Sequence, residues 1–245
     1  MTAHNARITT VISTSPIPAM PDVSHIHRTI ESLALVPELQ NSPLIIAFDA
    51  PNDNCDLEKY EIYKRRVSNI CRADRNVTFV HLDDWGHLSG VIERAIQLVQ
   101  TRFVFIQQHD LPLVCSFDCD SVIRCLDEGG DVKHVRLNRR SNQAIGWDKS
   151  PLFSAFETRH ISLTRTSCWS DQSHLASTDY YLNVVIPQIR GTKVFPETLL
   201  NPYRKLPIDE LLSIHRRLGT FIYGPPGHPP IVMHTDARNA IVAVS

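Results

Sequence analysis

Short β-branched runs alternate with helical periods over the first hundred residues, and this alternation limits the architecture more than any other feature of the chain. Ile8 to Ser13 (ITTVIS), Leu44 to Phe48 (LIIAF), Val77 to Leu82 (VTFVHL) and Phe103 to Ile106 (FVFI) read as buried strands. Between them, Leu57, Tyr60, Tyr63, Val67 and Ile70 recur at helical spacing, as do Leu88, Val91, Ile92, Ala95, Ile96 and Val99. Another helix is expected near Ser24 to Val36. Successive βα units of this kind form a parallel sheet with right-handed crossovers, and ligands bind where the strands deliver their C-terminal ends.

The loops at that edge hold the candidate site residues. Ser13, Thr14 and Ser15 follow the first strand, Asp49 follows the second, Ser89 lies after the third, and Gln107, Gln108, His109 and Asp110 follow the fourth. The stretch RFVFIQQHDLPL turns from apolar to polar within one residue. Two readings of these positions stand side by side: ligand contacts at a strand edge, or ordinary turn chemistry in which Asp49 and Asp110 cap turns near Pro51 and Pro112. Gly90 permits either close backbone approach to a ligand or a tight helix–sheet contact.

The second half of the chain is less regular. A helix around Cys119 to Leu126 stops at Gly129-Gly130, strands are expected at Val132 to Leu137, His160 to Thr164, Thr220 to Tyr223 and Ile231 to His234, and helices at Thr178 to Ile189 and Ile208 to Leu218. At 245 residues, without a disordered linker or internal repeat, one domain spanning 1–245 is expected, with a donor-like half over about 8–113 and a variable half over about 114–245.

Composition removes several function classes. A formal net charge of -1 advertises neither nucleic acid nor a strongly charged partner. Six scattered cysteines, and an opening segment that does not read as a signal peptide, predict a reducing, cytoplasmic setting; Cys115-x-x-x-Cys119 has no second pair with zinc spacing. No apolar run is long enough to span a bilayer. Neither G-x-x-x-x-G-K-[ST] nor G-x-G-x-x-G occurs, which disfavours P-loop kinases and simple dinucleotide enzymes.

The order of TVISTSPIP, LIIAFDA, HLDDWGHLSGVIERAI and FVFIQQHD resembles the GT-A glycosyltransferases, particularly the family 2 type, over residues 8 to about 113. CWSDQSHLASTDYYL and IVMHTDAR resemble later segments more loosely. The resemblance implies an α/β fold with a Rossmann-like nucleotide-binding half sheet inside a mixed central sheet flanked by helices. It also implies transfer of a sugar, a hexose or deoxyhexose, from a UDP-, GDP- or dTDP-sugar to a glycan or other hydroxyl acceptor, by inverting displacement.

By the same resemblance Asp49 faces the nucleoside, and Gln108-His109-Asp110 stands where an Asp-x-Asp element holds a divalent cation, Mn2+ or Mg2+, and the diphosphate. Gln108 departs from that pattern, being a neutral acceptor or donor where the family usually has Asp. Ser13, Thr14, Ser15 and Ser89 are candidate donor contacts, His234 a second cation ligand and Arg238 a diphosphate partner. For the acceptor side, Asp179 is the first expectation for the catalytic base and Asp171 the second, with Trp169 and Trp147 as sugar-stacking candidates. Two other readings remain: a domain that binds a nucleotide sugar or glycan without turnover, and a sugar nucleotidyltransferase, which would bring a Gly-rich basic loop where this chain has STSPIPAMPD.

Overall fold

In the computed structural model, residues 6–71, 76–201 and 206–235 are described. Nine strands form one mixed sheet: β1 Ile8–Thr14, β2 Leu44–Phe48, β3 Val77–His81, β4 Phe103–Gln108, β5 His134–Arg136, β6 Ser154–Glu157, β7 Ser162–Arg165, β8 His174–Ser177 and β9 Thr220–Tyr223. Their order is β3-β2-β1-β4-β8-β5-β9-β7-β6. The expected strand at Ile231 to His234 reduces to a single bridge between Leu113 and Val232. β6 and β8 are strands that periodicity did not reveal.

β3, β2, β1 and β4 are parallel, with Ser13 in register with Gln108 and Ala47. Every residue of β1 and β2 is buried, as expected for strands covered by helices on both faces. One core joins Ile12, Ile46, Phe48 and Phe105 to the helices Ser24–Ser32 and Leu57–Cys71; the other joins Val11, Ala47 and Ile106 to the helix His87–Ile96 and residues of 178–189. Burying one Leu, Ile or Phe side chain contributes about 1.5–3 kcal/mol, so these faces fix the half sheet firmly.

The second half departs from a simple parallel continuation. β8 enters between β4 and β5 and runs antiparallel to both. Phe103, the first residue of β4, pairs with Ser177, the last of β8, while Ile106 pairs with His174. The residues preceding β8 therefore lie at the ligand-binding edge of β4, and those following it lie at the far edge. The expected helix at 178–189 is present as one continuous run, widened to π geometry over Tyr181–Val185 between its α-helical ends.

Candidate active site

Two cavities open along the C-terminal edge of β1, β2 and β4, and Gln108 lines both. The first, about 290 Å³, is bounded by Ser13, Thr14, Ser15, Asp49, His87, His109 and neighbouring residues. Asp49 is only 4% exposed, and its Oδ1 accepts the amides of Ala50 at 2.9 Å and Gly86 at 2.8 Å. Burial nevertheless raises its pKa, against the opposing pull of those N–H groups. A Cβ at position 86 would stand 2.5 Å from Leu82 Cδ2, the movable end of a side chain, and 3.1 Å from the Gly90 Cα, so a larger residue there would crowd the turn that presents the Gly86 amide. The turn and binding readings of Asp49 are thus compatible, because one carboxylate oxygen orders the loop and the residue still lines the cavity.

Ser13 lines the cavity while its carbonyl accepts the His109 amide at 3.0 Å. The Thr14 hydroxyl bonds to Tyr63 Oη at 2.9 Å, leaving its position fixed from behind. Ser89 is a correction: it is fully buried and donates to the Val194 carbonyl at 2.5 Å. Its place on the inward face of the helix His87–Ile96 turns it from the cleft.

At the β4 exit, alternate residues face opposite sides of the sheet. Gln107 points inward, fully buried, and donates to the Leu111 carbonyl at 2.6 Å, holding the turn. Gln108 points to the cleft and donates to the Asp171 carbonyl at 3.2 Å. The C-terminal strip is fastened to the same turn through Met233 N to Pro112 O at 3.0 Å and Thr235 N to Asp110 O at 2.9 Å. That seam carries His234 Nε2 to 3.2 Å from Asp110 Oδ2. Asp110 Oδ1 is buried and has no hydrogen-bond partner among the described residues; Asp110 itself lines neither cavity, whereas His234 lines the second. Arg238 lies outside the described residues.

The second cavity, about 220 Å³, lies on the other side of Gln108 and is lined by Asp171, Trp147, Arg139, Glu197 and His234 among others. Asp171 is 8% exposed; Glu197 Oε1 accepts its backbone amide at 3.0 Å and the Ser170 hydroxyl at 2.5 Å. Burial first, and then the neighbouring Glu197, push the Asp171 carboxyl well above the usual range, while Arg139 pulls it the other way. A buried carboxyl with a raised pKa in a cleft is a candidate proton-transfer group, although a structural pair of carboxyls such as Asp171 and Glu197 shows the same shift.

Asp179 is the principal correction. It follows β8, whose antiparallel course carries it past the start of β4, where the Thr178 amide bonds to the Arg102 carbonyl at 2.9 Å. Six strand steps, roughly 20 Å, separate the level of Arg102 from Gln108. Trp169 is the other: it belongs to the wall of the second cavity but is wholly buried, its ring 5.1 Å from that of His134, so it shapes the wall without offering an exposed ring to a sugar. Trp147, 59% exposed and on the cavity wall, still offers its ring to a sugar.

Several lining residues carried no recognised signal. Trp85, His87 and Phe195 close the first cavity, with the His87 and Phe195 rings 4.3 Å apart. His87 adopts a left-handed φ of 56°, a conformation that costs a non-glycine residue energy and is held here by the Asp49–Gly86 contact beside it. Trp85 and His87 fall within the quoted HLDDWGHLSG, whereas Glu197 comes from an unremarkable Pro-Glu-Thr-Leu-Leu turn.

No protein-family model and no curated protein sequence matches the chain. Solved structures do. GalNAc-T7 with UDP, GalNAc and Mn2+ is similar at a TM-score of 0.59 and 10% identity, covering 94% of this chain and 44% of that one. Mannosyltransferase PcManGT from Pyrobaculum calidifontis, with GDP-Man and Mn2+, gives 0.53 and 11%, covering 96% and 58%. The 4-diphosphocytidyl-2C-methyl-D-erythritol synthase of Anaerococcus prevotii gives 0.50 and 10%, covering 95% and 92%. The chain spans less than two thirds of the length of the glycosyltransferase chains it matches. At such identities the shared property is the architecture, and on that ground the chain has the GT-A fold, a Rossmann-like half sheet within a mixed sheet flanked by helices.

Proposed function

We propose that the protein is a glycosyltransferase that moves a sugar from a nucleotide-sugar donor to a hydroxyl acceptor. The observation that carries this reading is the meeting of two cavities at Gln108, with Asp171, a buried carboxyl of raised pKa, on one side and the cavity lined by Ser13 and Asp49 on the other. The GT-A fold supplies the prior, and bound UDP, GDP-Man and Mn2+ in the neighbours are compatible with it.

In this reading the nucleoside sits against Ser13, Ser15 and Asp49, and the sugar lies across Gln108. Asp171 accepts the proton of the acceptor hydroxyl as that oxygen attacks the anomeric carbon, and the bond from that carbon to the diphosphate oxygen breaks with its electron pair. A single-displacement path of this kind inverts the anomeric centre; that stereochemistry rests on the family resemblance.

Asp110 and His234 fit a divalent cation, Mn2+ or Mg2+, because an unsatisfied carboxylate oxygen stands beside an imidazole. Such an ion supplies positive charge to the diphosphate leaving group. Among the described residues no group of three or more His, Cys, Asp or Glu side chains converges, so an ion held by Asp110 and His234 would need further oxygen ligands from diphosphate or water. Gln108 leaves one negative charge fewer than a paired-aspartate site and donates a hydrogen bond instead.

A nucleotidyltransferase is the second reading, favoured by the neighbour whose length this chain nearly matches. STSPIPAMPD after β1 lacks the Gly-rich basic loop that a nucleoside triphosphate needs. Isothermal titration against UDP, GDP, dTDP and CDP, with and without Mn2+ and on Asp110→Ala, tests the proposal. Metal-strengthened binding of one diphosphate, lost in the variant, is expected together with slow hydrolysis of the matching nucleotide sugar. Pyrophosphate release from CTP or UTP with a sugar phosphate would replace this reading by the second, and binding without turnover would make the domain a non-catalytic receptor. Among the described residues no helix is long and apolar enough to cross a membrane; a cytoplasmic protein is part of the proposal.

A further inference from the structure

Resting on that reading, we propose that the acceptor carries an anionic group, a carboxylate or a phosphate, which Arg139 and Arg140 hold at the mouth of the second cavity. The wall of this cavity carries both charges, and Arg139 is near enough to act on the Asp171 carboxyl. Asp171 and Glu197 stand with Ser170 beside Gln108, whereas three arginines, Arg136, Arg139 and Arg140, come from β5 and the loop after it.

Arg136 is already answered. It is 3% exposed and donates to Asp148 Oδ2 at 2.5 Å, and Asp148 Oδ1 accepts the Thr166 hydroxyl at 2.8 Å. Arg139 and Arg140 are exposed, and neither guanidinium pairs with a carboxylate within ion-pair distance among the described residues. Arg140 is nevertheless placed: its Nη2 lies 3.4 Å from where a Cβ on Gly146 would stand, over the turn that presents Trp147. Two planar donor forks beside an exposed indole match an anionic sugar, with the ring against Trp147 and the acidic group in the forks.

The loop that carries them is built rather than loose. On one side the Asn138 carbonyl accepts the Ile231 amide at 3.0 Å, and on the other the Asn142 carbonyl accepts the Gly227 amide at 2.7 Å. The Asn142 side chain donates to the Tyr223 carbonyl at 2.8 Å and also contacts Asn138. Fixing this short span at both ends lowers the ordering cost of engaging a ligand there.

The same forks could instead meet the donor's diphosphate, which has the same chemistry. Their position favours the acceptor, because both line the cavity of Asp171 and neither lines that of Ser13, Asp49 and His109. The test titrates glucuronate, glucose 6-phosphate and neutral glucose calorimetrically into the full chain, alone and again with saturating UDP or GDP plus Mn2+. One or both anionic sugars are expected to bind in both arms, at least tenfold more tightly than glucose. Arg139→Ala/Arg140→Ala should weaken that binding by roughly tenfold to a hundredfold and leave nucleotide affinity within about twofold. Equal affinity for glucose and the charged sugars, or no binding of either anion, overturns the proposal. So does a double variant that loses nucleotide affinity instead, which assigns the arginines to the donor. Absence of nucleotide binding with anionic sugar binding intact would count against the transferase reading alone.

Discussion

Replacing Asp171 by Asn should slow turnover by about 10²- to 10⁴-fold while strengthening the fold. A well-placed general base contributes about 10²- to 10⁴-fold, or about 2.7–5.4 kcal/mol of transition-state stabilisation. Asn keeps the shape and the backbone contact to Glu197 but takes no proton, so kcat for donor hydrolysis or transfer should fall by that factor with nucleotide affinity unchanged. Asp179→Asn is the matched control, since about 20 Å of strand separates it from the cleft, and its rate should stay within about twofold of wild type. The stability sign is opposite. Burial and Glu197 raise the Asp171 pKa in the folded state, so the unfolded chain gives up this proton at lower pH. Stability is therefore lost as pH rises from the unfolded value through the raised one, and at neutral pH the uncharged Asn variant should have the higher urea midpoint. The acid limb of kcat in the wild type should lie above the ordinary carboxylate range for the same reason. The assay is phosphate or nucleotide release from the donor identified by titration, followed across pH 4 to 9 (about 0.5-unit steps) with urea melts in parallel. An inactive Asp179→Asn beside an active Asp171→Asn would refute the assignment.

Other contacts give further expected outcomes. Asp148→Ala strands Arg136 in the interior and should cost about 3–5 kcal/mol by urea denaturation; a loss under about 1 kcal/mol would mean the pair is solvated. His174 is buried with Nδ1 donating to the Gln172 carbonyl at 2.6 Å and Nε2 accepting from Tyr181, which keeps it neutral, and burial lowers its pKa to about 4. The unfolded chain then binds the extra proton first, so stability present above about pH 6.5 should fall by roughly 3 kcal/mol on acidification through about pH 4. His174→Gln should flatten that slope in pH-dependent melts. Gly86→Ala should weaken nucleotide binding in calorimetry only slightly and without unfolding the chain, because the end of the Leu82 side chain can give way to the new Cβ beside the amide that Asp49 accepts.

The half sheet and its exposed edge were legible in the order of residues alone. Four apolar strands separated by helical periods leave few topologies, since crossovers are right-handed and a strand end must release its polar residues at the ligand edge. Asp49, Gln108 and Asp110 could be singled out for that reason. Trp169 and Asp179 could not be placed, because local pattern reports which residues are apolar or polar but not which neighbour a strand finds or in which direction it runs. The insertion of β8 antiparallel to β4 is a long-range choice, and it alone decides that Asp171 reaches the cleft while Asp179, on the far side of the same strand, stands at the opposite edge. Long-range packing likewise brought His234 to Asp110 and Glu197 to Asp171 from distant parts of the chain. Contacts of that separation are set by how whole faces pack, and no window of neighbouring residues contains them.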